Sequence, residues 1–172
     1  MLLTPHALTG AFIGHITQNP YLAISFGILS HHVLDMIPHF DQGSFRIRNF
    51  RAPYLNYLEN YDRSKFNNRD WTILIIDFII SAIIFISLLF VFSFDAFIIL
   101  ALGAFGGILP DLIGSSPLWS ETLEKKIKIA LIYKKFHSYF HFTVSKKEII
   151  FGISTQIILT IFILYLLITL KT

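Results

Sequence analysis

The chain contains no cysteine. Disulfides, thiolate zinc sites and iron–sulfur clusters are therefore excluded, and any metal must be held by His, Asp, Glu or backbone oxygen. Charged residues are scarce, at 15% of 172 positions. There is no basic-aromatic pattern of the kind that reads nucleic acid, and no internal repeat. The start lacks the charged region and the small-residue cleavage site of a cleavable signal peptide. What is abundant is apolar: 54% of residues are hydrophobic, 18 are Phe, and the mean hydropathy is +0.64. That is too apolar for a soluble domain of this length, and the length suffices for one domain. The expected fold is all-α, a single domain over residues 1–172. It would be an integral membrane bundle of about four to five membrane-embedded helices, with a basic amphipathic surface helix.

Against that background one stretch stands out, Ser30-His31-His32-Val33-Leu34-Asp35-Met36-Ile37-Pro38-His39-Phe40-Asp41. Three histidines and two aspartates fall within it, at the end of an apolar run. On a helix His31 and Asp35 share one face, while His32 points roughly 100° away. Pro38 is expected to stop the helix and turn the chain at His39 and Asp41. Imidazole and carboxylate at this spacing suit a divalent cation.

Thr4 and Pro5 suit the cap and the first position of an opening helix that carries His6 and runs to about Thr17. Gly10 and Gly14 form a close-packing stripe on it. His15 falls on the opposite side from His6 and reads as structural. Asn19-Pro20 makes a turn into a second helix, Tyr21 to Ile37, and these two short helices suit a membrane-embedded hairpin. Residues 42–70 mix Arg46, Arg48 and Arg51 with Tyr54, Tyr57 and Tyr61, as expected in a headgroup region.

Trp71 to Phe94 is the clearest transmembrane helix, interrupted by Asp77, whose carboxylate at membrane depth must be neutral, paired or metal-associated. Asp95 is expected to make the turn into a return helix, Ala96 to Leu109, which ends before Pro110-Asp111. Pro117 to Phe136 reads as a single surface helix with Ser120 as its cap. Lys125, Lys126, Lys128, Lys134 and Lys135 make it basic, as in a helix on an anionic bilayer. His137 and His141 follow, four apart, and Glu148 to Leu170 is the final span.

Of the 14 Lys and Arg residues, 13 fall in the segments 42–70 and 118–147. The helices between these segments go out and back, so both lie on one side, which the positive-inside rule makes cytoplasmic. The implied location is the inner (cytoplasmic) membrane, multi-pass, with the site facing the cytoplasm. Connectivity alone brings His6, His31, Asp35, His39, Asp77, Asp111, His137 and His141 to that face. These ligands exceed one tetrahedral zinc and suit one or two divalent ions, zinc first and manganese as an alternative.

Thr4-Pro5-His6, the Ser-His-x-x-x-Asp-x-x-Pro-His stretch, Gly106-Gly107-Ile108-Leu109-Pro110-Asp111 and His137-x-x-x-His141 together resemble a family of small bacterial membrane-bound metal-dependent hydrolases. It is the LexA-binding, inner membrane-associated hydrolase family. More remotely the pattern is similar to zinc-dependent phospholipase C, a helical enzyme with a His/Asp metal cluster. By that resemblance His6, His31, Asp35, Asp111, His137 and His141 match the metal residues. His32 stands beside the motif as a supporting or structural residue. The implied activity is hydrolysis of a phosphoester or ester of a lipid-like substrate, with membrane lipids as partners and no nucleic acid. Asp35 or Asp77 is the expected acceptor of the water proton, and Arg46, Arg48 and Arg51 are candidates to hold a phosphate. The competing readings are a small metal-ion or proton transporter and a non-catalytic membrane scaffold.

Overall fold

The computed structural model describes residues 1–41, 68–144 and 146–170. The basic segment with Arg46, Arg48 and Arg51 lies outside the described residues. Among the described residues, seven α-helices follow in chain order: α1 (Leu3–Thr17), α2 (Pro20–Asp35), α3 (Asn68–Leu88), α4 (Phe94–Gly114), α5 (Ser120–Lys126), α6 (Lys128–Phe140) and α7 (Ile149–Thr169). A short 3-10 turn, Lys146–Glu148, precedes α7. The described residues contain one isolated parallel bridge, His39 with Thr143, and no strand.

Three helices, α3, α4 and α7, are long and apolar enough to cross a membrane. On α3 and α7 burial is confined to narrow stripes, whereas α4 packs between α1 and α2. On α3 the buried residues are Asp70, Asp77, Ser81 and Leu88, and on α7 they are Gly152, Gln156, Ile163 and Leu167. The remaining faces, including Ile76, Phe78, Ile79, Ile83, Ile158, Ile161 and Phe162, are apolar and exposed. A helix that is hydrophobic all round but touches protein along one stripe is suited to lipid on its other sides. Helices α1 and α2, of 15 and 16 residues, reach only ~22–24 Å at 1.5 Å per residue, short of a ~30 Å hydrocarbon core.

Backbone contact holds α1, α2 and α4 together. A Cβ on Gly10 would collide with the Gly103 carbonyl oxygen, and one on Gly103 with the Gly10 carbonyl oxygen. Gly27 of α2 meets the same Gly103 carbonyl, and Gly107 lies against the carbonyl of His6. Small residues at these crossings let the helix axes approach, as in membrane bundles. Beside them Leu8, Ala11, Leu100 and Ala104 join Leu88, Phe92, Ile163 and Leu167 in one buried apolar cluster.

Several boundaries differ from the sequence expectation. Helix α1 begins at Leu3 without a side-chain cap of its own, so Thr4 is not its cap. Asp77 of α3 serves instead, accepting from the Leu3 and Thr4 N–H groups and from the Thr4 hydroxyl. Helix α2 starts at Pro20 under an Asn19 cap and ends at Asp35, three residues before Pro38. The turn expected at Asp95 lies earlier, at residues 89–93, and Ser93 caps α4, which runs through Pro110 to Gly114. Pro110 removes one donor without ending the helix, so Asp111 sits inside its final turns. The expected single surface helix is two, because Ile127 is extended (φ −128°, ψ 106°) between α5 and α6. Ser120 does not cap α5; its hydroxyl donates to the Ser116 carbonyl.

Candidate metal centre

Asp35, fully buried at the last position of α2, has both carboxylate oxygens surrounded by nitrogen. On one side, Oδ1 lies 3.1 Å from His6 Nε2, 3.8 Å from His39 Nε2 and 3.1 Å from the Met1 nitrogen. On the other, Oδ2 lies 3.1 Å from His31 Nε2, 3.0 Å from His137 Nε2 and 3.8 Å from His141 Nε2. Two further carboxylates close the ring. Asp111 Oδ1 is 3.7 Å from His31 and 3.6 Å from His137, and Asp41 Oδ2 is 3.4 Å from His141.

Several elements deliver these side chains. The glycine contacts fix His6 of α1, His31 and Asp35 of α2 and Asp111 of α4 relative to one another. His137 comes from the last turn of α6. His39 and His141 lie outside the helices, where residues 39 and 142–144 run side by side. Phe142 N–H donates to the Asp35 carbonyl at 2.8 Å, His39 N–H to the Phe142 carbonyl at 3.2 Å, and Val144 N–H to the His39 carbonyl at 2.9 Å. Gln156 of α7 braces the same corner, accepting from Leu2 N–H and donating to the Phe40 carbonyl.

The outer ring nitrogens decide which tautomers face inward. His31 Nδ1 lies 2.7 Å from the Gly107 carbonyl, and His39 Nδ1 lies 2.7 Å from the Ile37 carbonyl. A carbonyl can only accept, so both rings donate from Nδ1 and turn Nε2, the atom a metal would take, to the centre. His141 Nδ1 is 3.0 Å from the Thr143 hydroxyl. His39 Nε2 is buried and has no hydrogen-bond partner. Burial also holds His39 well below the usual imidazole range and His141 down to about 3, so both rings stay neutral at physiological pH. At His39 a lone pair therefore faces the Asp35 carboxylate, acceptor against acceptor, an arrangement that a shared cation resolves.

Three overlapping groups have ligand atoms within 4.8 Å of one another: His6 with His31 and Asp111, His31 with Asp35 and His137, and Asp35 with His39 and His141. His31 joins the first two groups and Asp35 the last two. This donor set, imidazole nitrogens with carboxylate oxygens, fits a divalent cation. Asp111 and Asp41 keep about a fifth of their side-chain surface accessible. They mark the open side.

Seven of the eight sequence-derived ligands meet here. Asp77 is the exception: its carboxylate is engaged by the start of α1, and it belongs to none of the three groups. It acts on the centre only by anchoring the turn that carries His6. Asp41 is the ligand-distance residue that sequence reasoning left out of the candidates, although it closes the motif containing His39. His32 packs edgewise against Phe136 and His137, with ring centroids 5.2 and 5.6 Å away. His15 lies at the far end of α1, its Nε2 2.9 Å from the Leu170 carbonyl, in the structural role expected of it.

Comparison of the chain with family models, curated proteins and solved structures finds no match. The chemistry is therefore argued from the centre itself.

Proposed function

We propose that this protein is a membrane-bound metal-dependent hydrolase acting on a phosphoester or ester of a lipid-like substrate at the cytoplasmic membrane face. The observation that carries the reading is Asp35, buried among five imidazoles whose inward nitrogens lie 3.0–3.8 Å from its oxygens. His6, His31, Asp35, His39, Asp111, His137 and His141 would hold one or two divalent ions. Zinc is the first choice and manganese the alternative. Such an ion supplies a bound water acidic enough to give hydroxide near neutral pH, and it stabilises charge on the substrate oxygen.

The chain's own residues provide the rest. Asp35 is enclosed and serves as ligand, and Asp77 is engaged with α1, so the proton-accepting role falls to the partly accessible Asp111 or Asp41. The Gly107 and Ile37 carbonyls keep His31 and His39 in the ligating tautomer. The basic segments at 42–70 and 118–147 favour the cytoplasmic side of an inner membrane for this end of the molecule. Ligands gathered near the end of α4 suit a surface-facing hydrolytic site better than an ion path at the midplane.

Metal analysis of the purified, detergent-solubilised protein tests the reading. One to two equivalents of zinc or manganese are expected, lost in Asp35→Ala and retained in His15→Ala. Hydrolysis of a phospholipid should follow metal content. Wild-type protein that stays metal-free after reconstitution with both metals would overturn the proposal.

A further inference from the structure

Helix α6 has two unlike faces. One turns toward the centre with Ala130, Tyr133, His137 and Phe140, and Gly114, in the last turn of α4, lies directly against His137 and Tyr133. On the other, Lys128, Ile129, Ile132, Lys135, Phe136 and Tyr139 are exposed, the four non-lysine residues each by more than half. Steps of three and four residues, from 128 to 132, 135 and 139 and from 129 to 132 and 136, place these six along one side of the helix. A stripe of Ile129, Ile132 and Tyr139 beside lysines, with Phe136 at its margin half-exposed and packed on one edge by His32, is costly in water.

Two neighbouring features say what covers it. Gly114, the last residue of the candidate span α4, lies against Tyr133 and His137 of α6, so α6 stands at the level where an apolar span gives way to headgroups. Trp119, half-exposed just ahead of α5, donates its indole N–H to the Leu112 carbonyl of α4 at 2.7 Å, an anchorage typical of the membrane–water boundary. The charges on the exposed side are all of one sign, and Lys126 of α5 adds to them.

We infer that the outer face of α6 docks on an anionic lipid surface, its apolar residues entering the acyl boundary and Lys126, Lys128 and Lys135 meeting lipid phosphates. The inference rests on the membrane setting of the function proposed above but not on its chemistry. Because His137 lies on the opposite face of this one helix, lipid headgroups and the accessible edge of the centre become neighbours. Each lysine near such a surface strengthens attachment about fivefold.

The absence of native cysteine makes the test direct. The full chain carrying Ile132→Cys or Phe136→Cys is spin-labelled and reconstituted in phosphatidylcholine vesicles with and without phosphatidylglycerol. Collision of the label with oxygen, which concentrates in the bilayer, is compared with collision with a water-soluble nickel chelate. Oxygen should dominate at both positions when phosphatidylglycerol is present. The preference should fall several-fold in its absence, and likewise in the Lys128→Glu/Lys135→Glu double variant. Dominance of the chelate would place the face in water and overturn the inference. Weak collision with both reagents would mean cover by protein, a second copy or another part of this chain, and would overturn it too. Equal oxygen preference with and without phosphatidylglycerol would remove the anionic surface. Metal content measured on the same vesicles separates the two proposals: an inserted α6 on a metal-free protein sinks the hydrolase alone.

Discussion

Asp77 of α3 holds Leu3 of α1: Oδ2 accepts the Leu3 N–H at 2.5 Å, while Oδ1 accepts from the Thr4 hydroxyl at 2.6 Å. The first N–H groups of any helix lack partners within it, and a carboxylate there also meets the positive end of the helix dipole. Here the cap comes from a residue more than seventy positions away and fixes the turn that carries His6.

Replacing that carboxylate should loosen α1 before it affects the chemistry. Asp77→Asn keeps the shape but puts an amide with its own donors against N–H groups. A loss of about 1–3 kcal/mol in stability is expected, the usual range for breaking a buried bond to a charged group. Thermal unfolding in detergent measures it. Metal stoichiometry in the cold should survive in Asp77→Asn and vanish in Asp35→Ala, and equal metal loss in both would return Asp77 to the ligand set.

The glycine crossings predict a graded pair of variants. In Gly103→Ala the new methyl meets the Gly10 backbone, which cannot step aside. Overpacking of this kind costs about 1–3 kcal/mol or more, and it should lower stability and metal content together. In Gly114→Ala the methyl meets the His137 ring, with Nδ1 at 2.9 Å. A side chain can shift, so metal affinity should drop with a smaller loss of stability. Calorimetry with zinc alongside thermal melts separates the two effects, and identical behaviour of both variants would contradict the packing account.

Stability of the metal-free protein should depend on pH with a definite sign. His141, held to about 3 by burial, and His39, held well below the usual range, take up protons in the unfolded chain near 6.5 but not in the folded one. Their neutral burial therefore costs nothing above about pH 6.5 and destabilises progressively as pH falls toward 3, by up to about 1.4 kcal/mol per pH unit for each histidine. Melts of chelator-treated protein should fall on the acid side of pH 6.5. His141→Gln should have a shallower acid limb, and an unchanged limb would show that this ring titrates normally.

Much of the centre was legible because its spacing is local. His31 and Asp35 are four apart on one helix, His39 lies just past its end, and the going-out and coming-back of apolar helices carries Asp111, His137 and His141 to the same place. Asp77 was not legible in this way. A carboxylate at membrane depth can be satisfied by a metal or by helix N–H groups, and only tertiary structure says which. Asp41 was named in the motif but left out of the candidate ligands for the converse reason, since a carboxylate after a turn looks like an ordinary solvent-facing residue. The break at Ile127 has no local signal, as neither proline nor glycine stands near it. The glycines announced close packing, but not that Gly103 would serve both α1 and α2.

The way the ligands are carried has a mechanical consequence. His6, His31, Asp35 and Asp111 ride on three helices locked backbone to backbone, and they form the fixed jaw of a vice. His137 and His141 arrive on a separate arm, seated on that block through the pairing of residues 142–144 and through rings that reach for the same carboxylate. An ion gripped by both sets would be a rivet as well as a reagent, joining the arm to the block.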